Sequence, residues 1–145
     1  MQVELYFCVV KKIRKRSDCP ISSALDIVGD KWSLLVIRDI AFAGKNTYNE
    51  FLKSDEMIAT NVLADRLAML EAAGILAKEE HPASRAKIFY RLSKQGVDLL
   101  PVLAEMILWS DKYLLISPKA RQLAKQLRKD KDTTIKQISA ALKRG

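Results

Sequence analysis

Apolar residues between positions 58 and 74 recur at the spacing of a helix with one buried face. The positions on that face are Ile58, Leu63, Leu67, Leu70 and Ala73. We expect Thr60 to cap the first turn, because a hydroxyl there can accept a backbone N–H that has no helical partner. Gly74 is expected to end the helix, since glycine readily adopts the left-handed conformation common at helix ends.

The opposite face of this helix carries only small or polar side chains, namely Thr60, Asn61, Ala64, Asp65 and Ala68. A solvated surface helix more often carries long lysine and glutamate side chains at such positions. A narrow face with a few hydrogen-bonding groups suits entry into the major groove of DNA. From this stretch alone, an ordinary amphipathic helix explains the pattern equally well.

The flanking segments favour the DNA-binding interpretation. Thr47 and Glu50 have the spacing of a capping box, which predicts a short helix that ends near Lys53. Residues 75–92 predict two β-strands around a turn at residues 82–86. A short helix, a turn, a longer helix and a hairpin with basic residues near its tip make a winged helix-turn-helix. The predicted fold class is α+β, mostly α, with a two-stranded wing and C-terminal dimerisation helices.

Two helices precede this unit. Proline suits the first turn of a helix and an acidic residue suits its positive end, so Asp18 and Pro20 predict a helix over residues 21–28. Cys19 then lies at the helix N-terminus, where the dipole favours the reactive thiolate form. Cys8 is interpreted as an inert thiol, and a disulfide between the two cysteines is the alternative. After a break at Gly29 and Asp30, a second helix is expected from Lys31 to about Phe42, with the core candidates Trp32, Leu35, Val36 and Ile40.

The segment after the hairpin is apolar over a very wide arc. Ser93 can cap a helix over residues 94–115, in which Pro101 is expected to cause a bend or a junction. A surface helix buries one face, so the wide arc indicates a second covering surface. The favoured cover is the same helix and the 21–28 helix of another subunit, in an isologous dimer. The expected interface residues are Ile21, Leu25, Leu103, Ile107 and Tyr113.

Residues 118–145 are the alternative cover, within one chain. Ser117 and Pro118 predict another helix start, and a break over residues 130–134 precedes a final short helix. Both helices are basic on their open faces. Packing against the dimer helix is the favoured role of this extension, and a phosphate-binding tail is the alternative.

Composition and charge set the class of protein. The 145 residues are 49% hydrophobic and 29% charged, which predicts one globular domain with appendages. We divide the chain into a basic arm at residues 1–16, a domain at residues 17–116 and a basic helical extension at residues 117–145. The net charge is +8, yet the central domain has eleven basic and fourteen acidic residues. The high net charge is therefore weak support for DNA binding.

The N-terminal residues predict neither export nor membrane insertion. The chain has no apolar run near the roughly 20 residues that span a membrane. Residues 3–10 are apolar but few, and their basic cluster follows them, which is the reverse of a signal peptide. With only two cysteines, we expect a cytoplasmic protein without a membrane partner. The basic arm is interpreted as a solvated segment, with contact to DNA phosphates as the alternative.

Several segments of the chain form a combined pattern: Cys19-Pro20, the stretches 24–32 and 34–39, Tyr48-Asn49-Glu50-Phe51, the stretches 63–67 and 70–75, Tyr90-Arg91-Leu92-Ser93, Gly96 and Leu100-Pro101-Val102-Leu103. This pattern resembles the HxlR-type family of bacterial winged-helix transcription regulators. The resemblance covers about residues 17–115. It implies a MarR-like fold and a homodimer on operator DNA. Several members respond to electrophiles or oxidants through a cysteine placed like Cys19, which implies a sensor role for Cys19 and a small electrophile or oxidant as inducer.

The predicted partner is double-stranded DNA. The helix at residues 59–73 is expected to enter the major groove, with the wing at residues 79–91 beside it. Base contacts are expected from the face of this helix that carries small and polar side chains, at Thr60, Asn61, Ala64 and Asp65. We call these four residues the lean face. Phosphate or minor-groove contacts are expected from Lys53, Arg66, Arg85 and Lys87. As an alternative, Arg66 pairs with Asp65 or Glu71 on its own helix.

Enzymatic chemistry is not indicated. One histidine and two cysteines do not make a usual zinc site, and there is no glycine-rich phosphate loop. We therefore expect no enzyme, no metal and no cofactor. Two other classes stay open beside the regulator: a winged-helix module that binds proteins, which the acidic centre supports, and a thiol-based small-molecule binder.

Overall fold

The computed structural model describes residues 14–81 and 83–143 and divides the chain into two compact units, Met1–Gly96 and Val97–Gly145. The first unit contains helices α1 (Pro20–Val28), α2 (Ser33–Ala43), α3 (Tyr48–Leu52) and α4 (Thr60–Ala72), and strands β1 (Leu76–His81) and β2 (Ser84–Leu92). The short helix α5 (Lys94–Val97) lies at the division. The second unit contains α6 (Leu100–Tyr113), α7 (Pro118–Lys129) and α8 (Lys131–Lys143). Among the described helices, none is long and apolar enough to cross a membrane.

The core of the first unit is formed by apolar side chains of α1, α2, α3, α4 and β1 and by Ile75, which lies between α4 and β1. Its buried members are Val28, Val36, Ile37, Ile40, Phe51, Leu63, Leu67, Leu70, Ile75 and Leu76. The three leucines of α4 are the positions that the helical period predicts to be buried. Each buried leucine stabilises the fold by roughly 1.5–3 kcal/mol relative to an exposed one, so this face fixes the rotation of α4 about its axis.

The first turn of α4 differs from the prediction. Thr60 does not cap the helix, because it is already the first helical residue and Ala59 stands at the cap position without a side-chain hydrogen bond. The Tyr48 hydroxyl instead donates to the Thr60 carbonyl oxygen at 2.9 Å, which ties α3 to the start of α4. The predicted end is confirmed: Gly74 has a φ of +81°, just after the last helical residues.

The wing is an antiparallel hairpin in which Leu76 pairs with Leu92 and Glu80 with Ile88. The predicted turn at residues 82–86 is too long, because β2 already begins at Ser84 and pairs there with His81 after a bulge. The hairpin is joined to the helices by its second strand. The Tyr90 N–H donates to the Asn46 carbonyl oxygen at 2.8 Å, and the Tyr90 ring lies 6.2 Å from that of Phe51.

Helix α2 begins two residues later than predicted, because Asp30 caps it from the preceding turn. The Asp30 carboxylate accepts the N–H groups of Trp32 and Ser33, both at 2.9 Å, and the Ser33 hydroxyl at 2.5 Å. Of the predicted core residues in this helix, the two at 36 and 40 are buried, whereas Trp32 and Leu35 are only half-buried.

The predicted helix over residues 94–115 is two helices, α5 and α6. Pro101 lies in the first turn of α6, where its missing N–H costs nothing, so the predicted junction is confirmed. Helix α7 packs on α6, and α8 packs on α7. The buried residues of the second unit include Leu103, Ala104, Ala124 and Leu127.

Two further predictions for the second unit are corrected. Leu103 is only 7% exposed in the single chain, so it is a core residue and offers no surface to another subunit. The break expected over residues 130–134 is confined to Asp130. Its carboxylate accepts the N–H of Thr133 at 3.1 Å and the Thr133 hydroxyl at 2.6 Å, and so caps a thirteen-residue α8 directly after α7. These hydrogen bonds hold the pKa of Asp130 below its usual value.

Candidate nucleic-acid interface

The lean face of α4 is exposed along its N-terminal half. Thr60, Asn61, Ala64 and Asp65 are all exposed, whereas Leu63 and Leu67 on the other side are buried. No long side chain stands among these four residues, so a flat surface with a hydroxyl, an amide and a carboxylate faces outward. Such a surface can approach base edges in a major groove without steric obstruction.

A charged cluster around the buried Asp39, which the sequence did not predict, holds the turn between α3 and α4. Asp39 of α2 is buried, and its carboxylate accepts the hydroxyl of Ser54, a residue of that turn. The Lys45 ammonium group donates to the same Ser54 oxygen at 2.8 Å. Arg38 donates to Asp39 Oδ1 at 2.8 Å and also to Glu56, the second turn residue in the cluster. We call these five residues the turn cluster.

The turn cluster fixes the position of α4 from its N-terminal side. A charged pair at positions 38 and 39, among buried residues of α2, is the signal from which sequence reasoning could have found it. Next to the cluster, Met57 has a φ of +56°, which is uncommon for a residue other than glycine. Its N–H donates to the Ser54 carbonyl oxygen at 3.0 Å, so the sharp turn leads directly into α4.

The turn cluster shifts two ionisation equilibria. The hydrogen bonds that Arg38 donates to Glu56 raise the pKa of Arg38 above its usual value, so this guanidinium is charged at neutral pH. The same hydrogen bonds from Arg38 hold the pKa of Glu56 below its ordinary value of 4.5. Glu56 is therefore ionised at neutral pH and keeps the turn attached to α2.

Arg66 is engaged in ion pairs within the chain. Its guanidinium lies 2.5 Å from Asp65 Oδ2 and 3.5 Å from Asp30 Oδ1. The first pair is the alternative that the sequence left open. The second connects α4 with the turn between α1 and α2. Burial acts to raise the pKa of Asp30, but hydrogen bonds from Ser33 and Trp32 and the charge of Arg66 outweigh it, and the pKa is lowered.

Of the three other residues predicted to contact phosphates, the structure describes the side chains of two. Lys53, directly after α3, and Lys87, on β2, are exposed. The side chain of Arg85 lies outside the described residues. Arg91 on the wing pairs with Glu79 of the neighbouring strand, so this charge is balanced within the hairpin.

Cys19 is exposed and has a free thiol at the cap position of α1. The segment before it is folded back, since Arg16 Nε donates to Asp26 Oδ1 of α1 at 2.5 Å. Lys15 pairs with Asp18 at 2.7 Å. Cys8, the other cysteine, lies outside the described residues, so the alternative of a disulfide between the two stays open.

Among the described residues, helices α1 and α6 each expose several apolar side chains. On α1, Ile21 is 70% exposed and Leu25 is 52% exposed. On α6, the exposed apolar residues repeat along one face and are Val102, Met106, Trp109 and Tyr113. Ile107 is half-buried. Four of the five predicted interface residues thus retain accessible surface, and Leu103 is the exception.

No group of three or more histidine, cysteine, aspartate or glutamate side chains in the described part of the chain is arranged to hold a metal ion. The site consists instead of an exposed helix face, a rigidly held turn and a hairpin.

A match to a protein family decides what this arrangement is: residues 27–118 match the model of the HxlR-like helix-turn-helix. The chain belongs to the HxlR-like family. Proteins of this family are transcription regulators rather than enzymes, and this chain is a regulator of the HxlR type.

Individual relatives agree with the family. The HTH-type transcriptional regulator YdeP of Bacillus subtilis is 34% identical over 95 residues, which are 66% of this chain and 73% of YdeP. YodB of the same organism, an HTH-type transcriptional regulator, is 31% identical over 66% of this chain and 85% of YodB. The family match begins at Ile27, so Cys19 lies just before it.

Solved structures of two regulators share the fold. The reduced form of YodB has a TM-score of 0.55 and 30% identity over 67% of this chain and 95% of its own. The oxidised form of HypR, a redox regulator, has a TM-score of 0.60 and 29% identity over 68% of this chain and all of its own. YodB is also known in diamide-treated and quinone-bound forms. The predicted winged helix-turn-helix is thereby confirmed.

The turn cluster predicts a pH-dependent contribution to stability. Because the pKa of Glu56 is lower in the folded state, its contribution is complete above about pH 4.5 and is lost as the pH falls through the folded value. We expect Glu56→Gln to lower the unfolding free energy at pH 7 by less than about 1 kcal/mol, as for a partly exposed pair. The difference from wild type should shrink as the pH is lowered from 7 to 3.5, as measured in urea titrations.

Asp55→Asn is the matched control, since it removes an exposed neighbouring carboxylate that lies outside the turn cluster. A difference between Glu56→Gln and wild type that is the same at pH 7 and pH 3.5 would contradict the role of Glu56 ionisation.

Proposed function

We propose that this protein represses or activates genes as a homodimer that binds a pseudo-palindromic operator and responds to an electrophile or oxidant through Cys19. The operator is read by helix α4, within the predicted segment 59–73, and contacted by the wing at residues 79–91. The observation that carries the proposal is the exposed lean face of α4, held on one side by buried leucines and on the other by the turn cluster.

The chemistry of the lean face matches base edges. The Asn61 amide can donate to and accept from adenine, and the Asp65 carboxylate can accept from the amino group of cytosine. Thr60 supplies a hydroxyl that suits several bases. Ala64 has a methyl group that leaves room for the helix to enter the groove. Arg66 binds Asp65 Oδ2 and so orients the carboxylate before DNA is bound.

The phosphate contacts are assigned to exposed or flanking cations. Lys53 follows the first helix of the helix-turn-helix, and Lys87 and Arg85 belong to the wing strand. Arg66 is also assigned a phosphate contact, for which its ion pairs with Asp65 and Asp30 compete. These contacts would fix the register of the protein on the duplex and leave the choice of sequence to α4.

The dimer is supported by the two exposed apolar surfaces on α1 and α6. Patches of this kind mark interaction sites, because leaving several large apolar side chains in water is unfavourable. A two-fold dimer would place two α4 helices about 34 Å apart, in successive major grooves. Each half-site would then be read by one subunit.

The response is supported by the exposed free thiol of Cys19 and by the quinone-bound and diamide-treated forms of YodB. A quinone would be attacked by the thiolate, forming a carbon–sulfur bond, and the ring would take up a proton to become a hydroquinone thioether. Diamide would oxidise two thiols to a disulfide and be reduced to the hydrazine, with both thiol protons transferred to its nitrogens.

Helix α1 and one ion pair connect Cys19 with α4. Cys19 stands at the start of α1, and Asp30 follows the end of the same helix and pairs with Arg66 of α4 at 3.5 Å. A displacement of α1 caused by an adduct would therefore act on α4 through this ion pair and on the dimer through the exposed face of α1. Either change would alter the spacing of the two reading helices.

Dimer formation can be tested on each apolar surface. We expect Ile21→Glu and Tyr113→Glu, each tested alone, to shift the protein from dimer to monomer at micromolar concentration, because a carboxylate would be buried without a partner. Sedimentation velocity measures the change. Met57→Glu is the control, since Met57 is an isolated exposed apolar residue. A monomeric wild type, or variants that stay dimeric, would refute the assigned interface.

Base reading can be tested at Asn61. We expect Asn61→Ala to weaken binding to the operator by about 1–3 kcal/mol and to leave binding to random DNA nearly unchanged. Fluorescence anisotropy with both duplexes, starting from the intergenic DNA upstream of the gene, measures the two affinities. Asn49→Ala removes an exposed asparagine of α3 and should not alter the preference for the operator. Equal losses on both duplexes would rule out base reading by Asn61.

The sensor role can be tested with Cys19→Ser. This variant should fold and bind the operator like wild type, because the thiol is exposed, but its DNA complex should resist a quinone that dissociates the wild-type complex. Cys8→Ser is the matched control. It should keep the quinone response, which needs one thiol, and lose the diamide response only if the two cysteines form a disulfide. A quinone response that survives in Cys19→Ser would exclude Cys19 as the sensor.

A further inference from the structure

Helix α7 lies almost entirely beyond the family match, which ends at residue 118. It has five basic residues and no acidic residue among its twelve positions. They are Lys119, Arg121, Lys125, Arg128 and Lys129. Helices of this composition repel one another and attract polyanions, so the composition alone restricts the partner to a negatively charged one.

The apolar side of α7 is already used within its own unit. Ala124 and Leu127 are buried where α7 packs on α6, whereas all five basic residues are exposed. A helix that inserts into a membrane surface needs a free apolar face to bury among the lipids. Because that face of α7 is covered, its accessible surface offers cations and glutamine amides, which fits a phosphate backbone better than a lipid bilayer.

The ion pairs of α7 leave most of its charge unbalanced. Arg121 and Arg128 both approach the carboxylate of Asp111 on α6, Arg121 at 3.7 Å. One carboxylate neutralises one of these two guanidinium groups. Lys125 and Lys129 are exposed and lie one helical turn apart, on the side opposite the buried residues. The outer surface of α7 is therefore a cationic strip about 18 Å long at 1.5 Å per residue.

The domain at residues 17–116 supplies little charge for phosphate binding. Residues 17–116 have a net charge of −3, and residues 117–145 have nine basic and two acidic residues. On the reading helix, Arg66 is balanced by Asp65 and Asp30. Within residues 17–145, attraction of a polyanion would thus come mainly from the C-terminal extension.

We infer that the outer surface of α7 binds the backbone phosphates of duplex DNA without reading sequence, as a second contact surface in addition to the helix-turn-helix. The inference rests on the proposed function only in taking duplex DNA as the partner. Neutralising phosphates with lysine and arginine releases condensed counterions, so such a surface raises affinity for every sequence alike and makes it depend on salt. Specificity would remain with α4.

The test compares two double variants that remove the same charge from full-length protein. Lys125→Gln with Lys129→Gln changes the strip, and Lys136→Gln with Lys143→Gln changes exposed positions of α8. Binding to a random duplex is measured by anisotropy between 50 and 200 mM salt. We expect the first variant to lower the slope of log K against log salt by about 2 per protomer, one for each phosphate contact, and the second to leave it unchanged.

Three other outcomes would each overturn the inference. Equal losses in both variants would overturn the inference, because net charge rather than the strip would then be responsible. Failure of wild type to bind a random duplex at 50 mM salt would overturn it too. So would a first variant that binds duplex DNA normally but loses binding to vesicles containing phosphatidylserine, since the strip would then serve a membrane surface.

The outcome also separates this inference from the proposed function. If wild type prefers no sequence but the first variant binds random DNA with a lower salt slope, the sequence-specific regulator fails and the phosphate-binding strip stands. If wild type prefers its operator and the two double variants behave alike, the regulator stands and the strip fails. Thermal melts of both variants should match wild type, because all four lysines are exposed.

Discussion

Burial of one face of α4 is the constraint on which the reading surface depends. Leu63, Leu67 and Leu70 are packed into the core, and their spacing sets the rotation of the helix, so the opposite face must point outward. A rotation by one residue would move a leucine into water and a polar side chain into the core. Both changes cost free energy, which is why a helix with few hydrogen-bonding groups can present them in one fixed direction.

The turn cluster adds a second constraint of a different kind. Buried charges are costly unless they are paired and hydrogen-bonded, and Asp39 meets both conditions through Arg38, Lys45 and Ser54. Since two turn residues belong to this cluster, the turn before α4 cannot shift without breaking it. Hydrophobic burial thus fixes the rotation of the reading helix, and the polar cluster fixes where the helix begins.

Unbalanced positive charge is distributed unevenly between the first unit and the C-terminal extension. In the first unit, many cations are paired inside the chain: Arg16 with Asp26, Arg66 with Asp30, and Arg91 with Glu79. These pairs connect parts of the fold to one another. The extension carries an excess of positive charge that its own acids do not balance. A regulator built in this way would separate the choice of sequence from the strength of attraction to DNA.

The sequence by itself determined the elements and their type. The helical period gave the buried face of α4, Thr47 and Glu50 gave the start of α3, and Pro101 gave the junction before α6, because each signal acts within a few residues of the chain. Only the tertiary structure decided which cations are already paired. Arg66 meets Asp30, and Arg38 meets Glu56, across separations that no local pattern encodes. It also decided that Leu103 is core, since a wide apolar arc on one helix does not reveal which part of it another helix of the same chain will cover.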